Sequence, residues 1–173
     1  MARFEIDSTF LVRFLQDLIE IPSPTGDTDW AVSFIEQELA ALEVGYSRTK
    51  KGALVANLDG LRADSPRALS AHVDTLGAMV REVKSNGRLK LAALNGVMWP
   101  SVESEGVTVS TRSGRQVRGS IVLANGAVHV NKEARTAPRN EDTLEVRLDE
   151  RTRSAEETRV LGIEIGDYVA FDP

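Results

Sequence analysis

Apolar residues recur at helical spacing near the start of the chain. Phe10, Leu11, Phe14, Leu15, Leu18 and Ile19 define one face, and Asp7 or Ser8 can cap its beginning. The predicted helix ends near Ile21, because Ile21-Pro22-Ser23-Pro24-Thr25-Gly26 crowds two prolines and a glycine together. A second helix is expected from Asp27 or Asp29, with Ala31, Phe34, Ile35, Leu39 and Leu42 as its stripe and Gly45 in the left-handed position past its end. The pattern then changes. Residues 46–50 and 53–58 read as two strands about the Lys51-Gly52 turn, and 67–72 as a short buried strand entered from the polar loop 62–66.

From Gly77 onward the chain reads as nearly all β. Segments 78–83 and 88–93 flank an Asn86-Gly87 turn, and 107–111 and 116–122 flank a tip at Ser113-Gly114. Residues 143–148 alternate, with Leu144, Val146 and Leu148 against Glu145 and Arg147. A short helix is expected over 154–161, where Ser154 precedes Glu157 at the capping-box spacing. Residues 163–171 read as a last strand region around Gly166-Asp167, and the polar, mixed-charge stretch 131–142 as a mobile loop. No internal repeat is present. An α/β part therefore joins a β-rich part near Thr75–Gly77.

Composition narrows what such a chain can do. With 173 residues it has the length of one ordinary domain or two small ones. It carries 21 Lys+Arg against 26 Asp+Glu, a formal net charge of −5, which disfavours nucleic acid as a partner. No apolar run approaches the ~20 residues that cross a bilayer, and the N-terminus turns acidic at once with no apolar export segment. No membrane partner and a cytoplasmic location are expected. There is no cysteine, so thiolate zinc sites and Cys nucleophiles are excluded, and the only histidines are His72 and His129.

The chemically suggestive motif falls at the join, in Ser70-Ala71-His72-Val73-Asp74-Thr75-Leu76-Gly77. In a strand, His72 and Asp74 share a face, and open α/β sheets place ligands at the C-terminal ends of strands. A carboxylate that accepts the ring N–H of a histidine fixes its tautomer and improves the other nitrogen as a metal ligand. Spacing alone favours a plainer reading, a buried histidine bonded to a nearby acid.

The surroundings add to it. The Ile21–Gly26 segment, the Lys51-Gly52 turn, Ala71-His72-Val73-Asp74-Thr75-Leu76-Gly77-Ala78-Met79-Val80, the Trp99-Pro100 loop and the closing Leu161-Gly162-Ile163-Glu164-Ile165-Gly166-Asp167-Tyr168-Val169-Ala170-Phe171-Asp172-Pro173 occur in order. Together they resemble the tetrahedral (TET-type) metallo-aminopeptidases, the family that includes glutamyl aminopeptidases and proteins once labelled cellulase-M-like. The resemblance covers essentially the whole chain as the N-terminal half of such a protein. It implies an α/β fold: an incomplete three-layer zinc-peptidase-like catalytic domain (1–76), interrupted by a β-rich, PDZ-like domain (77–168) that mediates homo-oligomerisation, with residues 169–173 starting the return. It further implies His72 as a metal ligand and Asp74 as the catalytic-site acid that holds its imidazole. The complete enzyme would use two divalent ions, zinc or cobalt, to hydrolyse N-terminal residues from short peptides. The remaining ligands and the glutamate general base would follow Pro173, so the 173 residues alone are expected to be inactive. The alternative from another class is a non-catalytic assembly or peptide-binding module derived from that family. A carbohydrate-acting enzyme rests only on old family labels.

Other residues have plainer expectations. His129 is read as a loop or strand-end histidine, though in an assembly it could approach a neighbouring subunit. Glu103 and Glu105 are read as a solvated acidic loop, and Arg112, Arg115 and Arg118 as a charged hairpin tip. Met98 and Trp99 fit either core or interface.

Overall fold

Helix α1 (Ser8–Ile19) starts where Asp7 Oδ1 accepts the Phe10 N–H at 2.9 Å, and it stops before Pro22. Helix α2 (Asp29–Ala41) ends in a Schellman turn, with Glu43 N–H bonded to Ala40 O at 3.0 Å and Val44 N–H to Leu39 O at 2.9 Å. The left-handed residue there is Glu43 (φ 56°), not the expected Gly45, because the reversal follows Leu42 immediately. Phe14 contacts both Phe10 and Phe34, with ring centroids 6.0 and 5.5 Å apart. A short antiparallel hairpin follows, β1 (Tyr46–Arg48) with β2 (Leu54–Ala56), turned at Gly52 with φ 87°.

The computed structural model describes residues 5–62 and 64–173, so part of the 62–66 loop lies outside the described residues. The chain divides into two units: residues up to Ser23 with 27–74, and residues 24–26 with 75–173. In the first unit, among the described residues, only Ser23, Ala31 and Val32 are buried. Segment 67–72, expected as a buried strand, is exposed and unpaired in any ladder. A strand exists only beside a neighbour that takes its backbone hydrogen bonds, and β1 and β2 pair only with each other.

The second unit is a closed barrel of six antiparallel strands. Their order is β3 (Gly77–Val83), β4 (Leu89–Leu94), β7 (Leu144–Leu148), β6 (Gln116–Leu123), β5 (Gly106–Ser110) and β8 (Tyr168–Phe171), with β8 returning to β3. Alternation points Leu91, Val109, Ile121, Val146 and Val169 inward, each at most 1 % exposed. In β3 the inward residues Ala78 and Val80 are followed by Val83, and a bulge between Val80 and Glu82 restores the phase. Gly119 sits where a Cβ would come within 2.8 Å of both Arg147 O and Val146 Cγ1, so the β6–β7 approach requires glycine. The β3–β4 turn uses Gly87 at φ 82°. Beyond the one-turn helix α3 (Trp99–Val102), helix α4 (Ala155–Val160) is fastened over that turn by the buried Thr158 hydroxyl, which donates to Gly87 O at 2.8 Å.

Two expectations change here. Residues 169–171, expected to begin a return to the other domain, lie in β8 and close the barrel between β3 and β5. Their alternation places Val169 in a core that lacks a wall without them. Stretch 131–142, expected as a mobile loop, holds a 3-10 turn (Lys132–Arg135). Arg139 ties it down by donating to Ala134 O, Ala137 O and the Glu103 carboxylate.

Candidate functional site

His72 and Asp74 lie at the end of the first unit, where the chain is in no ladder. His72 Nδ1 is 3.0 Å from Asp74 O and 3.1 Å from Asp74 Oδ1. Both neighbours are acceptors, so this geometry suits a proton on Nδ1, which in the neutral ring leaves the lone pair on Nε2. The His72 side chain is 85 % exposed and that of Asp74 is 30 % exposed, so the pair is an accessible imidazole anchored by a half-buried acid. This is not the buried histidine of the plainer reading.

The backbone around the pair meets the Ile21–Gly26 segment, read in the sequence as a helix breaker and as one of the motifs of the resemblance. Ser23, 1 % exposed, donates from Oγ to Val73 O at 3.0 Å. One residue on, Pro24 forms a parallel bridge with Thr75. Gly77 permits close packing there, since a Cβ on it would collide with Pro24 Cβ and lie 2.9 Å from Val169 O. The Ser23–Val73 contact is one that sequence reading missed; a hydroxyl between two prolines was its only signal.

The donor set suits one metal-bound histidine: Nε2 is free, and the other ring nitrogen is engaged by a carboxylate. Zinc generally takes three or four protein ligands, and among the described residues no three His, Asp or Glu side chains gather to hold an ion. Among the described residues, the chain presents one accessible imidazole with a carboxylate beside its Nδ1.

The remaining candidates resolve into structural roles. His129 is exposed, in a turn beside a depression of about 630 Å³ lined by residues including Arg88, Asn125, Asn131 and Arg147, and neither histidine lines it. Glu103 binds Arg139 rather than pairing with Glu105. Arg118 Nη1 donates to Asp172 Oδ1 at 2.6 Å and to Thr108 Oγ1 at 2.7 Å, and Arg112 donates to Ile165 O at 3.4 Å, so the arginines do not converge. The Asp172 carboxyl is held below the usual aspartate range by its hydrogen bonds and attraction to Arg118, against a smaller opposing effect of burial. Trp99 packs against the barrel core while Met98 is exposed. Asp27, at the start of α2, is shifted the other way: burial raises its carboxyl, with a further contribution from Asp29.

An α/β unit ending in a carboxylate-anchored histidine, followed at once by a β-barrel, defines the class. A profile described as M42 glutamyl aminopeptidase matches residues 52–173. A Bacillus subtilis (strain 168) protein named "Putative aminopeptidase YhfE" is 43 % identical over 162 residues, which is 94 % of this chain and 47 % of that protein. The chain belongs to the M42 glutamyl aminopeptidase family. A TET aminopeptidase structure from the archaeon Thaumarchaeota archaeon SCGC AB-539-E09 superposes with a TM-score of 0.81 at 20 % identity, over 96 % of this chain and 46 % of that one. The Pyrococcus horikoshii TET1 peptidase, described as assembling into a tetrahedron or a large octahedral shell, gives 0.73 at 19 % identity, over 93 % and 46 %. At these identities the structures establish the shared fold. The chain spans about half the length of these relatives.

Proposed function

We propose that this chain is the part of a metal-dependent aminopeptidase that carries its first metal ligand, and that the complete protein removes N-terminal residues from short peptides. The observation that carries this reading is the His72–Asp74 pair. His72 Nε2 would hold one of two divalent ions, zinc or cobalt, and Asp74 would keep the ring in the tautomer that leaves that nitrogen unprotonated. When bound, such cations supply Lewis-acid polarisation of a water and of the scissile carbonyl. The further ligands and the general base would come from polypeptide outside these 173 residues.

The exposed apolar residues of the first unit support this reading. Leu11, Val12, Leu15 and Ile19 lie open on α1, as expected of half an α/β layer awaiting the rest of its sheet. In this view residues 1–76 belong to the catalytic domain. The barrel, beginning at residue 77, is the inserted PDZ-like domain through which the complete enzyme self-associates, and the enzyme works in the cytoplasm. The second reading, a non-catalytic assembly or peptide-binding module, draws on one observation: the barrel closes around its own core.

The test is His72→Ala in the complete protein. Peptidase activity should be abolished and bound zinc or cobalt reduced, with the fold unchanged; retained activity and metal overturn the assignment. The 173-residue chain should release no amino acid from peptides with either metal added. Release of sugar from glucans, with none from peptides, would instead favour a carbohydrate-acting enzyme.

A further inference from the structure

We infer that Ser23 is a positioning residue for the His72–Asp74 pair. The inference rests on the functional reading above and extends it to a segment to which that reading gives no role. Asp74 presents two acceptors to one ring nitrogen, its own carbonyl and its side chain, so the direction of the ring follows the backbone torsions of Asp74. Those torsions are set by the two peptide groups that flank it. The peptide before Asp74 carries the Val73 carbonyl, which accepts the Ser23 hydroxyl from fifty residues away in sequence. After Asp74, Thr75 is bridged to Pro24, the neighbour of Ser23. No ladder orders residues 67–74, so these contacts replace the restraint that a paired strand would supply.

Burial makes the serine bond a firm one. A hydroxyl at 1 % exposure has little water to exchange with, so its hydrogen bond is costly to leave unmade.

The test uses the fact that the chain has only two histidines. Long-range ¹H–¹⁵N correlation spectra of the 173-residue chain, recorded where both rings are neutral, report the tautomer of His72, with His129 as the internal reference. Wild-type His72 should be protonated mainly at Nδ1. Ser23→Ala should move its tautomer ratio toward Nε2–H by roughly threefold or more, the consequence of losing one modest hydrogen bond. Ser23→Cys, close in volume and a weak donor, should do the same with packing preserved, and His129 should not change in either variant. An unchanged His72 ratio in the folded variants overturns the positioning role. A wild-type ring protonated at Nε2 overturns the reading of the pair itself, so the two failures are distinguishable. In the complete protein, Ser23→Cys should also weaken metal binding by about tenfold, the low end for losing support of a metal ligand, and undiminished affinity counts against the role.

Discussion

The two units obey the same local rules and reach opposite outcomes in burial. In the barrel, apolar residues from all eight-residue-or-shorter strands meet across a closed interior, with Val107, Val109, Ile121, Val146 and Val169 at 0 % exposure. In the first unit, α1 has an equally clear stripe, yet no residue of it is buried, and Leu11 and Leu15 are each 52 % exposed. An amphipathic face is an instruction to pack; it becomes a core only when an opposing surface is present. The barrel supplies its own because closure turns each strand into a neighbour of two others.

The largest expected effect that tests this contrast is in the barrel interior. Ile121→Ala should destabilise the barrel by about 3–4 kcal/mol, the usual cost of truncating a fully buried aliphatic. Trp99 lies against that core and Trp30 on exposed helix surface, so denaturation followed by fluorescence in a Trp30→Phe background isolates the barrel. A loss below 1 kcal/mol would mean that the barrel is not packed as described.

A charged group on the barrel gives the next test. Glu145 points away from the core yet is 1 % exposed, ion-paired with Lys84 and 3.6 Å from Arg88 Nη1. Lys84→Met should cost about 2–3 kcal/mol, because one buried carboxylate then keeps only the more distant partner. The double variant Lys84→Met with Glu145→Leu should recover much of that loss, and failure to recover it would show that the packing of Lys84 matters more than its charge.

A smaller, pH-dependent effect belongs to the half-exposed Arg118–Asp172 pair. Asp172 is held below its ordinary value near 3.8, so the folded state favours the carboxylate. The stabilisation is present above that value and lost as pH falls through the lower folded-state value. Asp172→Asn should lower stability by about 0.5–1 kcal/mol at pH 6, and its thermal midpoint should converge on that of the wild type in strong acid. A difference that does not vary with pH would remove the charge from the explanation.

The smallest effect is expected in the first unit. Leu15→Ser on α1 should change the stability of the 173-residue chain by about 0.5 kcal/mol or less, as for an exposed position. In the complete protein the same change should cost several times more if further polypeptide covers α1. Equal, small losses in both would break the comparison.

Much of the barrel was legible in advance because its signals are local. Asn86-Gly87 and Ser113-Gly114 mark hairpins, the alternation of 144–148 marks a strand, and Ser154 does cap α4 by accepting Glu157 N–H. The misreadings share one cause. Segment 67–72 has strand composition, but pairing requires a partner that no local pattern specifies. Glu43 took the left-handed position expected for Gly45 because hydrogen bonds at the helix end outweighed the usual preference for glycine. At the candidate site, His-x-Asp spacing suggested the pair, whereas the support from Ser23 and Pro24 joins residues fifty positions apart.

The sequence by itself determined helices α1, α2 and α4, the hairpin turns, the change of regime near Gly77 and the pairing of one histidine with one acid, since each depends on residues within a turn or two of one another. Only the tertiary structure decided that β8 closes the barrel, that Glu145 is buried on its outer side, and that Ser23 reaches Val73. Those depend on which distant surfaces and hydrogen-bond partners meet, and no spacing along the chain encodes that.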